Sequence, residues 1–212
     1  MYCKLVMNQR LTKRWGELFS SSLDENNLNA ALDDIAKKYS EKHRHYHTLA
    51  HIEDCLNQFD EVREQLTNPI AVGLAILFHD AIYDPKASDN EYQSSIYASE
   101  VLGNLQLGAG LIEIVSNLVM LTKHDAQPTT TDETLLIDID LSILGRESSE
   151  YKNYAKAIRQ EYRHVPHFLY KHGRRKVLKK FLDRIRIFNS NLYFGRFEEQ
   201  ARRNLQNELD TL

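Results

Sequence analysis

The chain has 212 residues, 42% hydrophobic and 27% charged, long enough to bury a substantial core and too apolar for a disordered chain. Its 8 glycines and 4 prolines leave little turn chemistry for a many-stranded sheet, while plentiful Leu, Ala, Glu, Lys, Arg and Gln favour helix. A formal charge of -3 gives no global attraction for nucleic acid or an anionic membrane.

Cys3 and Cys55 lie far apart without CxxC spacing and read as reduced, incidental thiols rather than a disulfide framework or a zinc knuckle. The segment MYCKLVMNQRLTKRW has no apolar run of signal-peptide length, and no run anywhere reaches transmembrane length. A cytoplasmic location is expected, with neither membrane nor nucleic acid as a partner; a homo-oligomer is left open.

Leu11, Trp15, Leu18 and Phe19 have helical spacing, as do Leu28, Leu32, Ile35 and Tyr39. After the dense segment HRHYHTLAH, Thr48 can cap a helix carrying Ile52, Leu56 and Phe59 on one face. Asn68 and Pro69 read as cap and first residue of the next helix, apolar nearly all round until His79. YDPKASDN is a turn, with Ser88 or Asp89 starting a helix to about Leu105. Leu111 to Lys123 follows, then Thr131 to Leu144, stopped by Gly145 in a favourable C-cap position. Val177, Leu178, Phe181, Leu182, Ile185 and Phe188 predict one apolar helix face, and a charged helix runs from Phe197 to about Leu209. No strand pattern, repeat or linker interrupts this series. The expected fold is all-α, a helical bundle forming one domain over residues 1–212.

Three segments carry chemistry. His79 and Asp80 close a buried apolar helix, IAVGLAILFHD. Burying either without a partner costs several kcal/mol; a metal cation would satisfy both, although His79 as a helix cap and Asp80 as the start of a turn would also explain them. In YHTLAHI, His47 and His51 are four residues apart, so on a helix they share a face, with His43 on it too if the helix starts earlier. A surface histidine cluster is the alternative. In LLIDIDLSILG, the helical neighbours of Asp140 are Leu136, Ile137, Ile143 and Leu144, whereas those of Asp138 are half polar. Asp140 is therefore expected to be the buried carboxylate, held by a metal or a basic side chain, and Asp138 to reach water.

Together these segments resemble the HD superfamily, whose pattern is H…HD…D on helices of an all-α domain. Here the pattern reads His51, His79-Asp80 and Asp140, spread over a motif-bearing core at about 43–145 with a helical extension at about 146–212. YHTLAHIED resembles the YHNxxHAxD segment of cyclic-nucleotide phosphodiesterases, and IDLS their ADLS. The combination RHYHTLAHI, FHDAIYDP, SDNE and LTKH is more similar to a bacterial family of predicted HD metal-dependent phosphohydrolases. The resemblance implies His51, His79, Asp80 and Asp140 as metal ligands and His47 as the group that protonates the leaving oxygen or binds the phosphoryl group. It implies a small phosphorylated substrate, a nucleotide by analogy. The stretch from Ala81 to Ala98 departs from the phosphodiesterases, and the C-terminal third is too short for their nucleotide pocket, so cyclic-nucleotide specificity does not carry over.

Two imidazoles and two carboxylates suit Mn²⁺, Mg²⁺, Zn²⁺, Co²⁺ or Fe²⁺. On an octahedral ion they leave two positions, for water and a phosphate oxygen, and such an ion lowers the pKa of water towards ~7. Glu91 is a candidate to orient water, or else a first-turn residue matched to the helix dipole. Asp84 is a similar candidate, for a second metal or for phosphate, although Pro85 behind it favours a turn role. His124, at the end of a helix, is a candidate for a second metal or for phosphate, as is Arg44 for a bidentate phosphate clamp. The basic run from Lys171 to Arg186 reads as a solvated helix face, with a polyanion as the alternative. Two other functions fit the same ligands: an HD-type di-iron oxygenase, which would recruit His47 and His124, and a non-catalytic module sensing metal or nucleotide.

Overall fold

The apolar periodicity becomes helix over most of the described residues. The structure, a computed structural model, describes residues 25–212 together with Lys13, Arg14 and Gly16; the expectations for Cys3, Leu11, Trp15, Leu18 and Phe19 lie outside the described residues. Among these residues there are nine α-helices and no strand, and no helix is long and apolar enough to cross a membrane. We number them α1 (Glu25–Lys38), α2 (Leu49–Val62), α3 (Pro69–Phe78), α4 (Asn90–Asn104), α5 (Ala109–Leu121), α6 (Thr131–Leu141), α7 (Ser148–Glu161), α8 (His167–Leu182) and α9 (Asn191–Thr211).

The chain divides into two compact units, one ending at Leu136 and one from Ile137 to Leu212, so α6 runs through the division. In the first unit α3 is buried nearly all round and packs against α2, α4 and α5. Its start is set as the sequence predicts: Pro69 is the first residue and the Asn68 side chain accepts from the Ala71 N–H at 3.0 Å. The Asp132 carboxylate then accepts from the backbone N–H groups of Thr67 and Asn68 at 2.7 and 2.8 Å, tying the first turn of α6 to the α2–α3 corner.

In the second unit α9 packs against α7, α8 and the 3-10 turn Ser142–Gly145. The expected end of the fourteen-residue helix at Gly145 is corrected here. The α-helix stops at Leu141 and tightens into the 3-10 turn, and no glycine among the described residues has a positive φ, so Gly145 is no left-handed cap. Its role is close approach: a Cβ at this position would lie 2.7 Å from the Phe197 carbonyl oxygen and 2.9 Å from its Cα. Because backbone atoms block the way, no rotamer change relieves Gly145→Ala. We expect it to destabilise the chain by about 3 kcal/mol, the upper part of the overpacking range, read as a lower urea midpoint; a midpoint equal to wild type would refute the close packing.

The predicted apolar face of α8 is also corrected. The helix buries Tyr170, Arg174 and Leu178 at four-residue spacing, and Arg174 enters that stripe because Glu208 accepts from its Nε and Nη2 at 2.7 and 2.9 Å. Val177, one position out of register, is exposed, and Ile185, beyond the helix end, is 97% exposed. Of the basic run, Arg175, Lys176, Lys179 and Lys180 are exposed, as a solvated face requires.

The segment between α8 and α9 has no helix of its own, yet its backbone is closely held. Arg202 donates to the carbonyls of Leu182, Arg184 and Ile185. Glu198 accepts from the N–H groups of Ile187 and Phe188, and Asp138 from those of Asn189 and Ser190. Ser190 then caps α9 by accepting from the Tyr193 N–H at 3.2 Å.

Candidate metal centre

The site in the first unit lies where the C-terminus of α3 meets the N-terminus of α2. His79 follows the apolar run of α3 as its C-cap, with its backbone N–H on the Ala75 carbonyl. Its Nδ1 lies 2.9 Å from the Ile76 carbonyl oxygen. A carbonyl only accepts, so Nδ1 carries a proton and Nε2 is the nitrogen turned into the site. His51, in the first turn of α2, brings its Nε2 within 3.2 Å of that atom. Both imidazoles are buried.

Asp80 completes the group, with Oδ2 3.0 Å from His79 Nε2 and 3.8 Å from His51 Nε2. Three atoms spaced at 3.2, 3.0 and 3.8 Å lie on a circle of radius about 2.0 Å, the bond length from Zn²⁺ to imidazole nitrogen or carboxylate oxygen. These spacings would let the three atoms surround one divalent cation lying close to their plane. Burial pushes the Asp80 carboxyl up, but His79 first, then His47 and His51, outweigh it and hold the group well below the usual carboxylate range. Asp80 is thus poised as an anionic ligand.

His47 stands just outside this triangle, its Nε2 4.0 Å from Asp80 Oδ2. The expected helical face shared by His43, His47 and His51 is not formed: α2 starts at Leu49, and Thr48 before it is extended, with φ -122° and ψ 176°. His47 lies instead in a non-helical stretch, its ring packed against Tyr83 at 4.3 Å between centroids. His43 turns its Nε2 to the Tyr83 carbonyl at 2.7 Å.

Arg44 is corrected from a phosphate clamp. It is buried, and all three of its nitrogens serve the protein: Nε bonds Glu41, Nη1 the carbonyls of His47 and Asp80, and Nη2 that of Ala81. The tyrosines around it, Tyr39 and Tyr83, carry no signal in the sequence that marks them as part of a site. Tyr39 donates its hydroxyl to the Leu77 carbonyl at 3.0 Å and lies under the guanidinium with Tyr83.

Asp84 is exposed and accepts from the Lys86 N–H at 2.9 Å, closing its own turn, while Asn90 brackets it from the far side. Glu91 sits in the first turn of α4, where a carboxylate suits the helix dipole. His124 adopts a left-handed conformation, φ 57°, just past α5, the position that terminates a helix.

The expected exposures of Asp138 and Asp140 are reversed. Asp138 is fully buried, accepting the Asn189 and Ser190 N–H groups at 2.7 Å each, whereas Asp140 is half-buried in the last turn of α6. Residues 135–139 are all buried, so the polarity of helical neighbours does not pick out an exposed face. Compared with known proteins, the chain matches no family model, no curated protein and no solved structure.

Proposed function

We propose that the chain is a metal-dependent phosphohydrolase acting on a small phosphorylated compound, with a nucleotide as the first class to test. The observation that supports it most is the triangle of His51 Nε2, His79 Nε2 and Asp80 Oδ2, sized for one divalent cation, with a fourth side chain, His47, alongside but outside it. In this reading Asp140 is the fourth ligand, carried by the resemblance to the HD pattern. A bound divalent cation supplies Lewis-acid charge to the phosphoryl group and lowers the pKa of a coordinated water.

The chain's own residues do the rest. His79 is oriented by Ile76, and Asp80 stays anionic because the histidines around it favour the charge. His47, half-buried at the edge, can hand a proton to the leaving oxygen or hydrogen-bond the phosphoryl group. Replacing a general acid or a phosphoryl-binding group costs about 10²–10⁴-fold in turnover. We expect His47→Ala to fall in that range with Mn²⁺ affinity retained, and undiminished turnover would remove His47 from the chemistry.

The deciding experiment is phosphate release from a panel of nucleotides, cyclic dinucleotides and sugar phosphates, with Mn²⁺, Mg²⁺, Co²⁺ or Zn²⁺ added. Metal-dependent turnover supports the hydrolase. Silence from folded protein that holds stoichiometric metal would overturn it and turn the search to iron and oxygen chemistry, then to sensing.

A further inference from the structure

We propose that Arg44 is the positioning residue of this centre, setting how far His47 stands from the metal-binding atoms. What His47 then does rests on the phosphohydrolase reading; the positioning itself rests on geometry.

A single atom makes the connection. Arg44 Nη1 donates to the His47 carbonyl at 3.2 Å and to the Asp80 carbonyl at 2.7 Å, so one nitrogen bridges the backbones of the two residues that face each other across the site. Nη2 secures the next carbonyl, Ala81, at 2.9 Å, and Glu41 holds Nε at 3.0 Å from the other side. The guanidinium also lies 5.4 Å from the Tyr83 ring centroid, and Tyr83 is the ring that packs against His47. Both the backbone and the imidazole of His47 are thus referred to Arg44.

His47 needs such a device. His51 and His79 are placed by helices, but His47 precedes the first turn of α2 and has no helical ladder to fix it. At 4.0 Å from Asp80 Oδ2 it is too far for a direct hydrogen bond. Arginine suits the task because it presents several donors in a rigid fork. Lysine could reach one carbonyl, and methionine none.

The test is a double-mutant cycle between Arg44→Met and His47→Ala, read as the affinity of the Mn²⁺-loaded chain for inorganic phosphate. If Arg44 acts through His47, either change weakens phosphate binding about tenfold, as the loss of a charge-assisted hydrogen bond does. The double variant then binds no more weakly than His47→Ala alone, and Arg44→Lys falls between. Mn²⁺ affinity stays at the wild-type level in His47→Ala, and in the Arg44 variants it falls by less than phosphate affinity does. Additive losses, or a fall in Mn²⁺ affinity that parallels the fall in phosphate affinity, would overturn the proposal in favour of a general structural role.

A second readout needs no metal. In the metal-free chain the His47 ring protons feel the ring current of Tyr83, and we expect Arg44→Met, or Arg44→Lys if the former does not fold, to move them towards free-imidazole shifts. Unmoved shifts in a folded variant would refute positioning. Failure of the wild type to bind Mn²⁺ would instead count against the metal centre, leaving the ring shifts to decide on Arg44.

Discussion

Asp80→Ala is expected to weaken divalent-metal binding by about 100-fold or more and to abolish any metal-dependent turnover while leaving the helical fold intact. Loss of an outer-sphere partner alone costs about 10–100-fold in metal affinity, so loss of a direct ligand should reach or exceed that range. The fold should survive because the neighbouring anchors do not depend on this side chain. His79 keeps its bond to Ile76, and Arg44 holds the backbone carbonyl of residue 80 rather than its carboxylate. Asp80→Asn makes the sharper comparison: it preserves shape and removes the charge that His79, His47 and His51 favour. Titration calorimetry with Mn²⁺ or Co²⁺, paired with circular dichroism, checks both halves. Wild-type affinity in Asp80→Ala would sink the centre as described.

Asp138→Ala should do the opposite, damaging stability and sparing the metal. The substitution strips the acceptors from two backbone N–H groups, of Asn189 and Ser190. An unsatisfied donor costs about 1–3 kcal/mol, so the loss should be roughly 2–4 kcal/mol with allowance for water reaching the loop. Urea unfolding measures it, and a cost under about 0.5 kcal/mol, the level of an ordinary surface change, would contradict the assignment. The pH dependence has a definite sign. Burial, the largest influence, raises the Asp138 carboxyl above its ordinary value, and the bonds from Ser190 and Asn189 only partly offset it. The folded chain therefore binds this proton more readily than the unfolded chain. The resulting stability is present at pH below the unfolded carboxyl's value and is lost as pH rises through the folded one. The stability of wild type minus Asp138→Asn should decline over that interval.

These two aspartates also show where sequence reading succeeds and where it stops. Helix positions were legible because apolar periodicity and local caps such as Asn68-Pro69 act within a few residues. The His79-Asp80 pair was legible because a polar couple closing a wholly apolar helix needs a partner whatever surrounds it. Assigning exposure to Asp138 and Asp140 failed because the test compares polar with apolar neighbours on one helix, and α6 is buried on every side across residues 135–139. What contacts Asp138 is backbone N–H some fifty positions along the chain, and backbone amides carry no residue identity to read. The same blindness hid the role of Arg44, whose partners across the site are carbonyls and whose sequence context offers a phosphate clamp only as one candidate. Val177 and Ile185 mark a third limit: a charged residue, Arg174, took the inward stripe that the apolar pattern had assigned elsewhere.

The connection from α8 to α9 has a kinetic consequence. Its shape is set by Asp138, Glu198 and Arg202, residues brought to it only when α6 and α9 are in place, with Asp138 separated from Ser190 by 52 positions. Closing so long a loop costs entropy before any bond is gained. The segment therefore takes its form at the end of assembly rather than at its start. Changes to Asp138, Glu198 or Arg202 should then speed unfolding and leave the folding rate nearly unaltered, as contacts absent from the transition state do.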